Sequence, residues 1–304
     1  MVPVWLARSR CHRTPVLPFW LSIAVLSLAQ GVLVAAPGAI VAGLPARLSS
    51  RRWALIPPLS VIVFVFGARA AEHASAQGLT YLAVVAVPPL AVLALGWLLW
   101  DARRPYWPPS PRVLIALPLF ALAWADRGGL AGEAAALALS ALSCVALGVL
   151  LATVTPPRWL AAGIVAMAIA DTALVVSDLL QRPNNALNAA HPAAGLPQLQ
   201  EAVFGSAVMG YGDLFIAGVL GGLLAATVGR SAQLRAAALT AILALGLDLL
   251  FFAVDELPAT VPVALALAAT MLRRRWRFDG ERRSPEDRRR AAAEAPRPRA
   301  PAAR

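Results

Sequence analysis

The chain is 304 residues long, 59% hydrophobic and only 14% charged, with a mean hydropathy of +0.68; soluble domains carry about 25% charged residues, so the composition is that of a membrane protein. The net charge is +11 without a single lysine, but residues 273–304 hold twelve Arg against five acids, so most of the excess sits in the tail and reads as anchoring at a membrane face, not nucleic-acid binding. Two cysteines and three histidines, with no HExxH pattern, argue against a disulfide framework, a metal set and a zinc-dependent membrane protease.

Residues 1–16 form a basic N-terminal segment with Arg8, Arg10 and Arg13. The apolar run that follows exceeds the roughly 7–15 residues of a signal-peptide core, so it is read as a retained first helix. Hydropathy predicts about nine membrane spans, near 17–36, 53–71, 79–100, 112–125, 130–154, 159–180, 202–228, 234–254 and 257–272. The expected fold is an all-α polytopic membrane protein: five N-terminal spans in 17–155, four spans in 156–272 that carry the candidate chemistry, and a basic tail, 273–304. From Arg277 onward that tail has too little apolar bulk to bury a core and reads as disordered. Arg47, Arg51 and Arg52, then Arg103, Arg104 and Arg112, then Arg158, Arg230 and Arg235 fall in alternate connections. The positive-inside rule puts these and the tail in the cytoplasm; the three Arg of the N-terminal segment fall on the other side under this count. The absence of lysine suggests a GC-rich, bacterial source and hence a bacterial cell membrane.

Four Asp lie in or at the margins of the later spans: Asp171, Asp178, Asp213 and Asp248. A charge inside a bilayer costs about 3 kcal/mol on insertion scales, so such residues are rare and tend to be functional. Asp171 lies mid-span in "GIVAMAIADTALVVSDLL", and Asp178 follows it by about two helical turns, near the helix end. The stretch "QRPNNALNAAHPAAGLPQLQ" reads as a loop. Helices six and seven are then antiparallel neighbours, with Asp171 and Asp213 at one depth.

Asp213 closes Gly210-Tyr211-Gly212-Asp213, in a run apolar enough to span a bilayer. The two glycines strip side chains from the backbone beside the carboxylate. Two carboxylates at one depth repel unless they share a proton, and a proton-sharing pair is the apparatus of aspartyl proteolysis, which needs no metal or cofactor. The plainer reading of each Asp is a polar strut hydrogen-bonded to a neighbouring helix, and that is the reading preferred for Asp248. Gly218 and Gly222 read as a close helix-packing pair. In "DELPATVPVALAL", Pro258 suits a helix's first turn and the preceding acids complement its dipole.

These segments resemble the intramembrane aspartyl proteases of the presenilin and signal-peptide-peptidase family. "GYGDLFIAGVLGG" resembles the family's GxGD motif, "AIADTALVV" its other catalytic helix, and "DELPATVPVALAL" its proline-alanine-leucine motif. Their order and the count of about nine spans agree with a presenilin-like bundle, and the resemblance covers residues 159–272. It implies Asp213 and Asp171 as the catalytic pair, with Gly210, Tyr211, Gly212, Pro258, Ala259 and Thr260 shaping the site and positioning substrate. It also implies packing of the Gly218 helix against the Asp171 helix, carbonyls left open by Pro258 and Pro262, and a transmembrane protein or peptide as substrate in the lipid bilayer. This chain has Ala170 where the family has Tyr, and Thr260 where it has Leu.

Three other readings meet the same residues. Prepilin peptidases also use GxGD, but with a basic residue soon after the Asp, where Leu214 follows here. A potassium-channel filter needs Thr where Val208 stands. A non-enzymatic transporter or scaffold would use paired buried Asp to bind a proton or cation. The geometry that separates the last from a protease is whether Pro258–Thr260 comes close to both Asp171 and Asp213.

Overall fold

A computed structural model describes residues 17–37, 72–98, 111–177, 195–252 and 257–281, with a few isolated positions elsewhere. The expected span at 53–71, Asp178, Asp255, Glu256 and the tail beyond 281 lie outside these residues. What is described is almost wholly helical: α1 (Phe19–Ala35), α2 (Glu72–Leu98), a 3-10 turn (Pro111–Ile115) leading into α3 (Ala116–Ala125), α4 (Leu130–Val154), α5 (Pro157–Val176), α6 (Tyr211–Thr227), α7 (Arg230–Asp248), a 3-10 turn (Leu249–Phe252) and α8 (Val261–Glu281). Three of these helices are long and apolar enough to cross a membrane: Ala76–Leu98, Leu130–Val154 and Pro157–Val176. Four more are apolar but shorter, Phe19–Ala35, Val113–Ala125, Tyr211–Thr227 and Val261–Leu272.

Several boundaries differ from those the hydropathy suggested. The stretch opening the seventh predicted span is not helical. Glu201–Phe204 (β1) and Ala207–Gly210 (β2) form an antiparallel hairpin pairing Glu201 with Gly210 and Phe204 with Ala207. Its two-residue turn is Gly205-Ser206, and Gly205 has φ +61°, the left-handed region such tight turns require. "EAVF-GS-AVMG" has the residue types of a hairpin, but an apolar average over a long window hides them. The last helix also shifts: it starts at Val261, not 257, and runs to Glu281, into the segment read as tail.

The core gathers around α6, whose Leu214, Ile216, Leu220, Leu223 and Leu224 are wholly buried. Along α4 the packing is backbone to backbone. A Cβ placed on Gly218 would lie 2.4 Å from the Cys144 carbonyl oxygen, one on Gly222 would lie 2.4 Å from that of Gly148, and one on Gly148 would lie 2.1 Å from that of Gly218. Only glycine admits this approach. The Gly218–Gly222 pair therefore packs on α4 and not, as the resemblance implied, on the helix carrying Asp171. Three small residues facing one another gain more contact than two against the bulkier side chains of α5.

On its other side α6 meets α1, where a Cβ on Gly221 would lie 2.5 Å from the Leu33 carbonyl oxygen. Helix α1 runs antiparallel to α7: Gly31 approaches Ala237 and Ala241, and Ser27 reaches Asp248. At the end of α1 the terminal carbonyls of Val34 and Ala35, which have no partner within the helix, accept hydrogen bonds from Gln233 and Arg230 at the start of α7. These bonds set the register of the two helices.

Candidate functional site

The polar residues collect at one end of the bundle because of how the helices are joined. The two-residue connection after Thr227 turns the chain back, so the end of α7 returns towards the start of α6. Asp213 lies in the first turn of α6, and Asp248 is the last residue of α7. Thr260 immediately precedes α8, and Asp171 is five residues from the end of α5. The expectation of two mid-span carboxylates is thus corrected: both acids sit near helix ends, because residues 201–210 are a hairpin and α6 starts only at Tyr211.

Asp213 is held by its own helix start. Gly210 is the N-cap residue, extended at φ −63° and ψ 145°, and the Asp213 carboxylate three positions on lies back towards it. A carboxylate here meets the positive end of the helix dipole. A Cβ on Gly210 would stand 3.1 Å from Asp213 Oδ2, tighter than ordinary contact, so the first glycine keeps room for the carboxylate. Gly212 is different: a Cβ there would meet only Met167 Cε, at 3.9 Å, an ordinary contact. Tyr211 turns towards α4, where its hydroxyl lies 2.7 Å from Ser143 Oγ. Its visible role is to fix the start of α6.

Asp171 meets the turn Leu257–Thr260. Thr260 occupies a capping position, yet its hydroxyl donates to Asp171 Oδ2 at 2.6 Å, and its backbone N–H approaches the same oxygen at 3.4 Å. Asp213 lies close enough to feel the Asp171 carboxyl electrostatically, and Asp248 more weakly. Of the geometry that separates a protease from a transporter, the approach of the turn to Asp171 is present, through Thr260. A direct bond from the turn to Asp213 is not among the contacts of the described residues.

The carbonyls of this turn are not left open as the two prolines suggested. The Pro258 oxygen accepts from the Val261 N–H at 3.2 Å, that of Thr260 from the Ala264 N–H at 3.2 Å, and that of Ala259 from Gln30 Nε2 at 3.2 Å. The sequence reading missed Gln30 and Ser27, two polar residues a turn apart in the apolar α1. Their i, i+3 spacing, which puts both on one face, was the available signal. Gln30 is fully buried, and its Oε1 has no donor among the described residues. Asp248 is a strut between helices, as expected: its Oδ2 lies 2.5 Å from Ser27 Oγ.

The hairpin is tied to the helices around it. The Gly205 N–H donates to Glu133 Oε2 of α4 at 2.7 Å, and the Ser206 N–H donates to Ser22 Oγ of α1 at 3.2 Å. Ala202, Ala207 and Met209 are buried against the core. Beside the site, α5 and α8 leave a shallow apolar groove of about 480 Å³ lined by Ala168, Ile169, Thr172, Val261 and Ala264. Among the described residues no group of three or more His, Cys, Asp or Glu is arranged to hold a metal ion.

The sequence matches no known protein family, no curated protein and no solved structure.

Proposed function

We propose that the chain is an intramembrane aspartyl protease that hydrolyses peptide bonds within transmembrane segments, using Asp171 and Asp213. One observation carries the reading: Thr260, from the segment that resembles the proline-alanine motif, donates a 2.6 Å hydrogen bond to Asp171, whose carboxyl in turn acts on Asp213. Three segments singled out by one motif resemblance therefore converge on one pair of acids. A set of independent polar struts has no reason to do so.

In the proposed reaction the pair shares one proton. The ionised carboxylate takes a proton from a water as the water oxygen attacks the scissile carbonyl carbon. The protonated carboxyl gives its proton to the carbonyl oxygen, forming a neutral gem-diol. Collapse breaks the C–N bond: the protonated carboxyl gives its proton to the departing nitrogen, which leaves as an amine, and the other carboxylate takes a hydroxyl proton from the gem-diol, restoring the singly protonated pair. Thr260 would orient Asp171 by occupying Oδ2, leaving the other oxygen for the water. A helical substrate must unwind locally, because its peptide bonds are shielded by its own hydrogen bonds. The groove between α5 and α8 offers an apolar surface beside the acids for such a segment.

Purified protein incubated with a panel of single-span reporters tests this directly. Cleavage should be present in the unmodified chain and lost in both Asp171→Ala and Asp213→Ala. Activity that survives both substitutions rules out the pair; activity lost only with Asp178→Ala moves the partner to that residue. The competing reading, a proton- or cation-binding transporter or scaffold, draws on a third aspartate, Asp248. It predicts ion-dependent behaviour with no reporter cleaved.

A further inference from the structure

Asp248 is the aspartate near the pair that the proposed chemistry does not use. It is 7% exposed at the end of α7. Among the described residues its carboxyl is held by Ser27 and by no cation. The groups facing it can be named element by element. Helix α1 presents Ser27 and Gln30 and has no titratable residue. The 3-10 turn Leu249–Phe252 and residues 261–272 of α8 have none either. Helix α6 contributes Asp213, with Asp171 of α5 beyond it. On α7 itself, Arg235 and Arg230 lie 13 and 18 positions back, roughly 20 and 27 Å along the helix axis. Among the described residues no cation is within reach of Asp248, and another acid lies beside it.

Counting hydrogens points the same way. Ser27 Oγ lies 2.9 Å from the Ile23 carbonyl oxygen and 2.5 Å from Asp248 Oδ2. A carbonyl oxygen and an ionised carboxylate oxygen only accept, and a serine hydroxyl has one hydrogen. One hydrogen shared between the two acceptors would weaken both contacts, and the carboxyl is the only other of these three groups that can supply a second. We infer that Asp248 is a third, proton-carrying acid of the site: its O–H donates to Ser27 Oγ, whose own hydrogen goes to the Ile23 carbonyl. The neighbourhood then holds three carboxyls, of which Asp248 is neutral. The inference does not depend on the protease reading, since it concerns a proton-binding site and not a cleavage event.

The test is infrared spectroscopy of the full chain in lipid nanodiscs at neutral pH. Subtracting the spectrum of Asp248→Asn from that of the unmodified protein should reveal the C=O stretch of a protonated carboxylic acid, sensitive to deuterium. Asn keeps the size and a donor for Ser27, so the fold should survive. Ser27→Ala, which keeps Asp248 but removes its acceptor, should shift the same band. If Asp248→Asn instead removes the paired bands of an ionised carboxylate, or if the acid band is untouched by Asp248→Asn and Ser27→Ala but disappears with Asp213→Asn, the assignment is overturned. No cleavage measurement enters, so failure here and failure of the protease reading are separate results.

Discussion

Between α4 and α6 a side chain on Gly148 would have to enter the carbonyl group of Gly218, whereas between α5 and α8 the side chains leave a groove of about 480 Å³. The most apolar stretch of α4 is 61% buried inside the bundle, and that of α5 is 28%. Both helices are equally apolar in character, so hydropathy cannot tell them apart. The difference is one of side-chain size at a few positions. Glycines at 148, 218 and 222 let two backbones touch and lock α6, with Asp213 at its start. Helix α5 has no such seam. It presents Ile169 and Val176 outwards and is tied near its end by the Thr260–Asp171 bond. One acid is thus mounted on the closest backbone-to-backbone seam described and the other on a long helix much less buried than α4. Helices with little burial are the least costly to displace, so any opening of the pair should come from movement of α5.

The sharpest way to break this comparison is to remove the acids themselves. Asp213→Ala and Asp171→Ala should each lower reporter cleavage by about 10³-fold, the scale of a lost general acid or base. The melting temperature should stay near that of the parent, because neither acid is part of the α4–α6 seam. A large fall in melting temperature would make these acids structural.

Next in size is the seam. Gly148→Val or Gly218→Val should cost about 3 kcal/mol or more, the upper range for overpacking, because the clash is with a backbone carbonyl that cannot rotate away. Thermal melting in detergent measures this. A neutral result would show that the seam is not rigid and would remove the contrast with α5.

Thr260→Val keeps shape but deletes the hydroxyl bonded to Asp171. A hydrogen bond to a charged group is worth about 1.5–3 kcal/mol, so cleavage should fall about tenfold to a hundredfold, with little change in melting. An unchanged rate would mean that the 2.6 Å bond is not used to orient the acid.

The smallest effect is expected at Gly212. Since an added Cβ meets only Met167 Cε, Gly212→Ala should change stability by less than about 0.5 kcal/mol. Any loss of cleavage in that variant then reports on space needed by substrate. A strongly destabilised Gly212→Ala would show that the second glycine is structural, like Gly218.

Much of the site could be read from residue types. Asp171, Asp213 and the Pro258–Thr260 segment stand out because a carboxylate or a pair of prolines is conspicuous in an apolar run. Asp248 was read as a strut and is bonded as one. Ser27 and Gln30 escaped notice because serine and glutamine are tolerated in apolar helices for many reasons, and nothing nearby in the chain points to Asp248 or Ala259. The hairpin at 201–210 escaped because its residues are as apolar as a helix.

What the amino-acid order determined alone is local: an apolar, mostly helical chain and the identity of the rare acids within its apolar stretches. Each follows from hydropathy or from bonds spanning a few residues. Which acid meets which partner was decided by the tertiary structure. Thr260 and Asp171 are 89 positions apart, Ser27 and Asp248 are 221 apart, and Gln30 and Ala259 are 229 apart. Such pairs form only once glycine contacts and short connections have brought separate helix ends together. The information that selects them is spread over the packing surfaces of at least five helices and is absent from any single stretch of the chain.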